Sequence, residues 1–138
     1  MDATVKKIID QLGKGDPAPS DAVSSLQRSC RMELPQDYLN FLTFFNGAAG
    51  TLPNSYHLIL WPAETLLDLN EAYQVQEYAP GIFIFGSNGG GEAYGFDTRS
   101  SMAVIQVPFV GMALSEAEYL APSFTAFLIA LEQKTDDE

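Results

Sequence analysis

Phe83-Ile84-Phe85-Gly86-Ser87-Asn88-Gly89-Gly90-Gly91-Glu92-Ala93-Tyr94-Gly95-Phe96-Asp97 is the stretch whose reading decides the fold. From Ile82 to Phe85 the chain is continuously apolar, so both faces of that run suit burial. One Asn and three consecutive glycines follow, and a second run of aromatic and small residues ends in Asp97. Strand, tight turn, strand is the reading: a central β-hairpin. The glycines also invite a phosphate-loop reading, which fails on residue types. A Walker loop needs Lys-Ser/Thr after its last glycine, whereas Gly91 is followed by Glu92-Ala93. A dinucleotide fingerprint opens a helix, and this run opens a strand. With a period of two, Glu92, Tyr94 and Phe96 share one face and Ala93, Gly95 and Asp97 the other. Glu92 and Asp97 therefore point apart unless Gly95 introduces a bulge.

Upstream of the hairpin the pattern reads as largely helical. Val5, Ile8, Ile9 and Leu12 sit at i, i+3, i+4 and i+7, with Gly13 and Gly15 as the stop. Ser20 suits an N-cap for a second helix, whose buried side carries Val23, Leu26 and Cys30. Pro35 fits the first turn of a third helix, Asp37 suits its positive end, and Tyr38, Phe41, Leu42 and Phe45 recur at helical spacing. Asn46-Gly47 closes that helix. Residues 48–55 read as a loop and residues 56–60 as a strand ended by Trp61-Pro62. A helix from Ala63 to Tyr73 or Tyr78 places Leu66, Leu69 and Tyr73 toward the core and Glu64, Asp68 and Glu71 on one face.

Beyond the hairpin, Met102 to Phe109 reads as a further strand, with Pro108 marking an edge or an ending. Gly111 to Leu120 reads as irregular, with Glu116 and Glu118 exposed. A last helix starts at Pro122-Ser123 and carries Phe124, Phe127, Leu128 and Leu131 at i, i+3, i+4 and i+7. The expectation is α+β: an antiparallel sheet with a central Gly-rich hairpin, covered by N-terminal and C-terminal helices. The 138 residues fit one domain over 1–138, with its core at about 20–133 and an acidic tail over 134–138.

Charge narrows the partners. Eighteen acids against seven bases give a net charge of −11. That balance repels phosphate backbones and anionic lipid surfaces, so neither nucleic acid nor a membrane is expected as partner. It favours a basic protein and steered association with it. A hydrophobic share of 46% is too high for a disordered acidic chain. The one cysteine, Cys30, excludes an internal disulfide and reads as a core residue. No signal peptide is evident, and no apolar run is long enough to suggest a membrane span, so a cytoplasmic location is expected.

Chemistry is hard to build from these residues. His57, the one histidine, falls inside a strand, and no metal-ligand spacing or paired cysteines accompany it. No catalytic residue, metal or cofactor is expected.

Several segments together acquire a family character. Leu34-Pro35-Gln36-Asp37-Tyr38, running on to Phe45-Asn46-Gly47, resembles the Leu-Pro-x-x-Tyr helix and Asn-Gly cap of the SUKH superfamily, Smi/Knr-type domain. Trp61-Pro62 with Glu64 resembles that family's Trp and acidic helix start, with Asn70-Glu71 further along the same helix. Phe85 to Glu92 with Phe96-Asp97 resembles its Gly-rich hairpin and trailing Asp, and Ser123-Phe124 with Phe127-Leu128 its last helix. Asn88 and Glu92 stand where the family usually has Asp. The resemblance spans roughly 23–131 and implies an α+β fold without enzymatic activity. Bacterial members are similar to immunity proteins that neutralise a cognate toxin, often a nuclease; fungal members are scaffolds in cell-wall regulation. Lacking the long extensions of fungal members, this chain looks like a stand-alone bacterial domain.

The leading expectation is thus an immunity protein that occludes a basic toxin surface, as a monomer or weak dimer. Its contacts would be Glu64, Asp68 and Glu71 on the helix, Glu92 and Asp97 near the hairpin, and Trp61, Tyr94 and Tyr56 as aromatic anchors. The alternative is a general protein-interaction or scaffold module, and the bland reading of the acidic stripe is a solvated helix face.

Overall fold

The computed structural model describes residues 2–19 and 21–134. In chain order the elements are α1 (Ala3–Ile9), β1 (Gly13–Lys14), α2 (Ala22–Ser29), α3 (Gln36–Phe44), β2 (Ala48–Thr51), β3 (His57–Leu60), α4 (Ala63–Ala72), α5 (Val75–Tyr78), β4 (Ile82–Ser87), β5 (Glu92–Asp97), β6 (Ala103–Pro108), β7 (Glu118–Ala121) and α6 (Phe124–Glu132). The fold is α+β. All strands join one antiparallel seven-stranded sheet in sequence order, β1 to β7. The Gly-rich hairpin is β4–β5, inside the sheet, with β3 on one flank and β6 on the other.

Register explains why the hairpin is apolar throughout. Phe83 pairs with Phe96, and Phe96 with Val104; these face a core built with α1, α2, α3, α4 and α6. Ile84 pairs with Gly95, and Gly95 with Ile105; these face a smaller core closed by Val75, Ala79 and Met112. Both faces of the sheet are buried at its centre, so the alternation has no polar half. The larger core is aromatic. Tyr38 lies 5.1 Å from both Phe96 and Phe124 in edge-on contacts, and Phe85 lies 4.6 Å from Phe96. Such tilted and edge-on pairs match the ring quadrupoles better than face-to-face stacks.

A bulge lies in β4, where the register shifts between Ile84 and Gly86 and leaves Phe85 unpaired. It is not at Gly95, so β5 stays regular against β6 and the two acids do point to opposite faces. Gly86 is obligatory for a steric reason: a Cβ there would run into the Ile59 carbonyl oxygen of the neighbouring strand. In the turn, Gly89 and Gly91 have φ of +76° and +103°, which side chains rarely adopt. Asn88 closes the turn, its Oδ1 accepting from the N–H groups of Gly90 at 2.8 Å and Glu92 at 3.2 Å.

Where β3 leaves the sheet, a side chain takes over the ladder. The Trp61 N–H donates to the Phe85 carbonyl, and Pro62 then has no N–H to continue the pairing. One step along, Ile84 is served by Asn70 of α4: its N–H donates to Asn70 Oδ1 at 2.9 Å, and its carbonyl accepts from Asn70 Nδ2 at 2.9 Å. The amide thus mimics a strand peptide and locks α4 to β4.

Other polar clamps fix the helices. Asp37 Oδ2 accepts from the Thr125 N–H at 3.0 Å and hydroxyl at 2.8 Å, joining the start of α3 to the first turn of α6. Ser123 caps α6 by accepting from Ala126. Asn54 Nδ2 donates to the carbonyls of Leu131, Glu132 and Lys134 at the other end of that helix.

Several expectations need correction. Residues 48–51 form β2, not a loop; Ala-Ala-Gly-Thr has no apolar alternation, and its strand state comes from pairing with β3. Glu118–Ala121 forms β7, so β6 is not an edge and Pro108 only ends it. Pro35 is the N-cap of α3 rather than a residue of its first turn. Of the two ends expected for the helix from Ala63, the shorter holds: α4 closes at its C-cap Tyr73, Gln74 adopts left-handed φ of +53°, and residues 75–78 form the separate α5. Leu66 is buried there as expected, but Leu69 is half-buried and Tyr73 exposed. The N-cap assigned to Ser20 and the tail over 135–138 lie outside the described residues.

Two stability outcomes follow. Asn70→Ala leaves both polar groups of fully buried Ile84 without partners. It should lower the unfolding free energy by about 2–4 kcal/mol in a denaturant titration. The Tyr38 hydroxyl is buried with no hydrogen-bond partner among the described residues. Tyr38→Phe should therefore leave the unfolding midpoint unchanged or raise it, by up to about 2 kcal/mol; a clear loss of stability would show that the hydroxyl has a partner.

Candidate functional site

The predicted contacts divide by how the sheet and α4 place them. α4 begins directly after Trp61-Pro62, and its N-terminus is held by Asn46 from the end of α3. Asn46 Oδ1 accepts from the Ala63 N–H at 2.7 Å, while its Nδ2 donates to both Glu64 oxygens at 2.7 and 2.9 Å. Glu64 is exposed but already engaged in positioning the helix. Asp68 and Glu71, further along α4, are exposed and make no ion pair or side-chain hydrogen bond among the described residues. Trp61 is half-buried and packs against both cores.

The hairpin contributes less than its sequence promises. Glu92 is half-exposed at the start of β5. Tyr94, two residues on, is 3% exposed, its ring 4.7 Å from Phe127. Asp97 is 5% exposed, accepts from the Arg99 N–H at 2.9 Å and forms a forked pair with the Arg99 guanidinium at 3.0 and 3.1 Å. Tyr94 and Asp97 are therefore below the surface, and the reason is the sheet: both faces of β5 are covered, so alternation sends neither residue to solvent. Tyr56 is half-buried with the Lys134 ammonium 5.6 Å from its ring centre.

Residues that the sequence reading did not select as contacts form an aromatic notch at the end of α4. Tyr73 and Tyr78, 41% and 50% exposed, line a notch of about 340 Å³ with Phe109, Gly111 and Met112. The Tyr73 and Phe109 rings are 4.7 Å apart, and Trp61 lies 6.4 Å from Phe109 on its other contact. Asn70, Glu71, Gln74, Val75, Gln76 and Glu77 line a second hollow of about 410 Å³ at the α4–α5 junction. One sequence signal marks this region: from Met32 to Gln133 there are eleven acids and a single base, Arg99. The other bases lie at Lys6, Lys7, Lys14, Arg28, Arg31 and Lys134. Lys6 and Lys14 both pair with Asp10, at 2.7 and 3.1 Å, and hold its carboxyl below the usual range.

Nucleophilic chemistry finds no support in the geometry. Burial pushes the Cys30 thiol above its ordinary value, away from the reactive thiolate. His57 Nδ1 lies 2.8 Å from the Thr51 hydroxyl on the exposed side of β2–β3. Those two residues share a shallow hollow with Ala49, Gly50, Ile59 and Gly89, which supplies no further titratable group. Among the described residues no group of three or more His, Cys, Asp or Glu side chains is placed to hold a metal ion, and no helix is long and apolar enough to cross a membrane.

Burial has one titratable consequence. It pushes the Tyr94 phenol from 10.0 up to about 12, with the Glu92 carboxylate adding to the shift. A raised folded-state value means that the folded chain holds the proton more tightly than the unfolded chain. This contribution to stability is intact below pH 10.0 and declines as pH rises through about 12. Tyr38 shifts in the same direction through burial. Denaturant midpoints should thus fall steeply above pH 10.0, and Tyr94→Phe should make the fall shallower.

No curated protein matches this chain. The profile of the SMI1 / KNR4 family (SUKH-1) matches residues 17–130. That span takes in the sheet from β2 to β7, the Asn46, Asn70 and Asp37 clamps and the hairpin, and so the chain belongs to the SMI1 / KNR4 family (SUKH-1).

Proposed function

We propose that this chain is a non-enzymatic protein-binding domain, an immunity protein that neutralises a cognate bacterial toxin in the cytoplasm by covering its active surface. The observation that carries the reading is a family fold whose α4 carries exposed Asp68 and Glu71, neither of them ion-paired or hydrogen-bonded through its side chain among the described residues, in a chain of net charge −11. A nuclease toxin is the kind its charge fits, because a phosphate-binding surface is basic and an acidic domain can occupy it in place of the nucleic acid. Glu64 contributes charge to this face, though its oxygens are also used by Asn46. Trp61 supports the surface from behind rather than by projecting from it. Tyr94 and Asp97 are left out of the contact set on grounds of burial.

The test is protection and binding with the toxin encoded beside this chain. Cells expressing the toxin should survive when this protein is co-expressed, and the association rate should fall steeply with salt. Asp68→Lys/Glu71→Lys should slow association by about tenfold or more while leaving the unfolding midpoint nearly unchanged. If the double variant binds at the unaltered rate, the α4 face is merely solvated. A protein that gives no protection, and instead retrieves several housekeeping proteins in the absence of any toxin, belongs to the scaffold class.

A further inference from the structure

We propose that the notch between Tyr73, Tyr78 and Phe109 is the seat for an arginine side chain presented by a basic partner protein. Tyr73 and Tyr78 are among the largest apolar surfaces that the chain leaves in solvent, and with Phe109 they face one hollow instead of being scattered. Exposed aromatic surface gathered in this way marks a contact site. The charge around it selects the contact. Glu77 directly precedes Tyr78, Glu71 and Glu77 line the hollow at the α4–α5 junction, and the chain as a whole carries a net charge of −11. α4 ends at Ala72 with Tyr73 as its C-cap and no basic residue in its last turn, so the helix supplies no countercharge of its own to the negative end of its dipole.

Among the described residues no basic side chain lines the notch. Arg99, the one base between Met32 and Gln133, is forked onto Asp97. A second copy meeting it symmetrically would bring the same acids face to face, and a nucleic acid would be repelled by them. Arginine fits better than lysine because its planar, weakly hydrated guanidinium stacks on ring faces, while the ammonium keeps its water. Trp61 behind Phe109 stiffens the wall of the notch. The inference rests on the protein-binding reading above for its partner's being a protein, but does not need that partner to be a toxin.

The probe is acetyl-Gly-Arg-Gly-amide, titrated into the full chain and followed by amide NMR shifts, with acetyl-Gly-Lys-Gly-amide as comparison. The arginine peptide should shift Tyr73, Tyr78, Phe109 and Gly111 saturably, and the lysine peptide should bind at least about threefold more weakly. Tyr73→Ala/Tyr78→Ala should weaken arginine-peptide binding by about tenfold. Tyr119→Ala, at a tyrosine 61% exposed on β7, should leave it unchanged. The peptide comparison needs no variant, so a misfolded double variant would not protect the proposal. Absence of saturable shifts at the notch, equal binding of the two peptides, or concentration-dependent dimerisation through these residues overturns it. Arginine binding without toxin protection would instead sink the immunity reading alone, and protection without arginine binding would sink this one alone.

Discussion

The peptide group of Ile84 is where the sheet hands over to the helices. β3 ends at Leu60, Pro62 cannot extend the ladder, and the β4 bulge turns Phe85 away from strand pairing. That leaves a fully buried N–H and C=O with no strand to meet them, and Asn70 supplies both partners. An unmet pair of buried backbone groups would cost a sizeable part of a typical domain's stability. The side-chain amide therefore fixes the height of α4 on the sheet. Asn46 fixes its start through Ala63 and Glu64. With both points set, the outward side of α4, carrying Asp68 and Glu71, is held in place by the buried clamps rather than by anything at the surface.

The two faces of the sheet are unequal, and the surface follows from that. One face carries the large aromatic core and is covered by α1, α2, α3 and α6, with Ala63 and Leu66 from the first half of α4. The other is closed mainly by the four-residue α5 and the segment after β6. So short a cover cannot bury every large side chain near it. Tyr73 and Tyr78 stay exposed, and Phe109 stays half-exposed. Of the bases, Lys6 and Lys14 share the carboxylate of Asp10, and Arg99 is held by Asp97. Residues 63–78, which make up α4 and α5, carry four acids and no base beside the exposed Tyr73 and Tyr78, a combination that suits a cationic protein surface.

Much of the fold was legible in the residues. Helical spacing marked α1, α3 and α6, and the apolar run into an Asn-Gly turn marked β4–β5. β2 and β7 were hidden because Ala-Ala-Gly-Thr and Glu-Tyr-Leu-Ala become strands only through their neighbours. The break at Gln74 was hidden because no glycine or proline announces it. The acidic stripe of α4 was legible from its spacing. Tyr94 and Asp97 were misjudged as surface groups because alternation on one strand cannot show that both faces of the sheet are covered. Tyr73 was misjudged in the opposite sense, its helical position pointing to a core that α4 does not extend over. That Arg99 is the one base between Met32 and Gln133 was a readable sign, but needed the fold to be located in space.

The central claim is that partners meet the chain on the α4–α5 side. Hydrogen–deuterium exchange with and without the cognate partner tests it most directly. The account predicts slowed exchange over residues 63–78 and 109–112, with α1 and α6 unchanged. Protection confined to α1, α2 or the edge strands, with α4 and α5 exchanging as in the free protein, would contradict it.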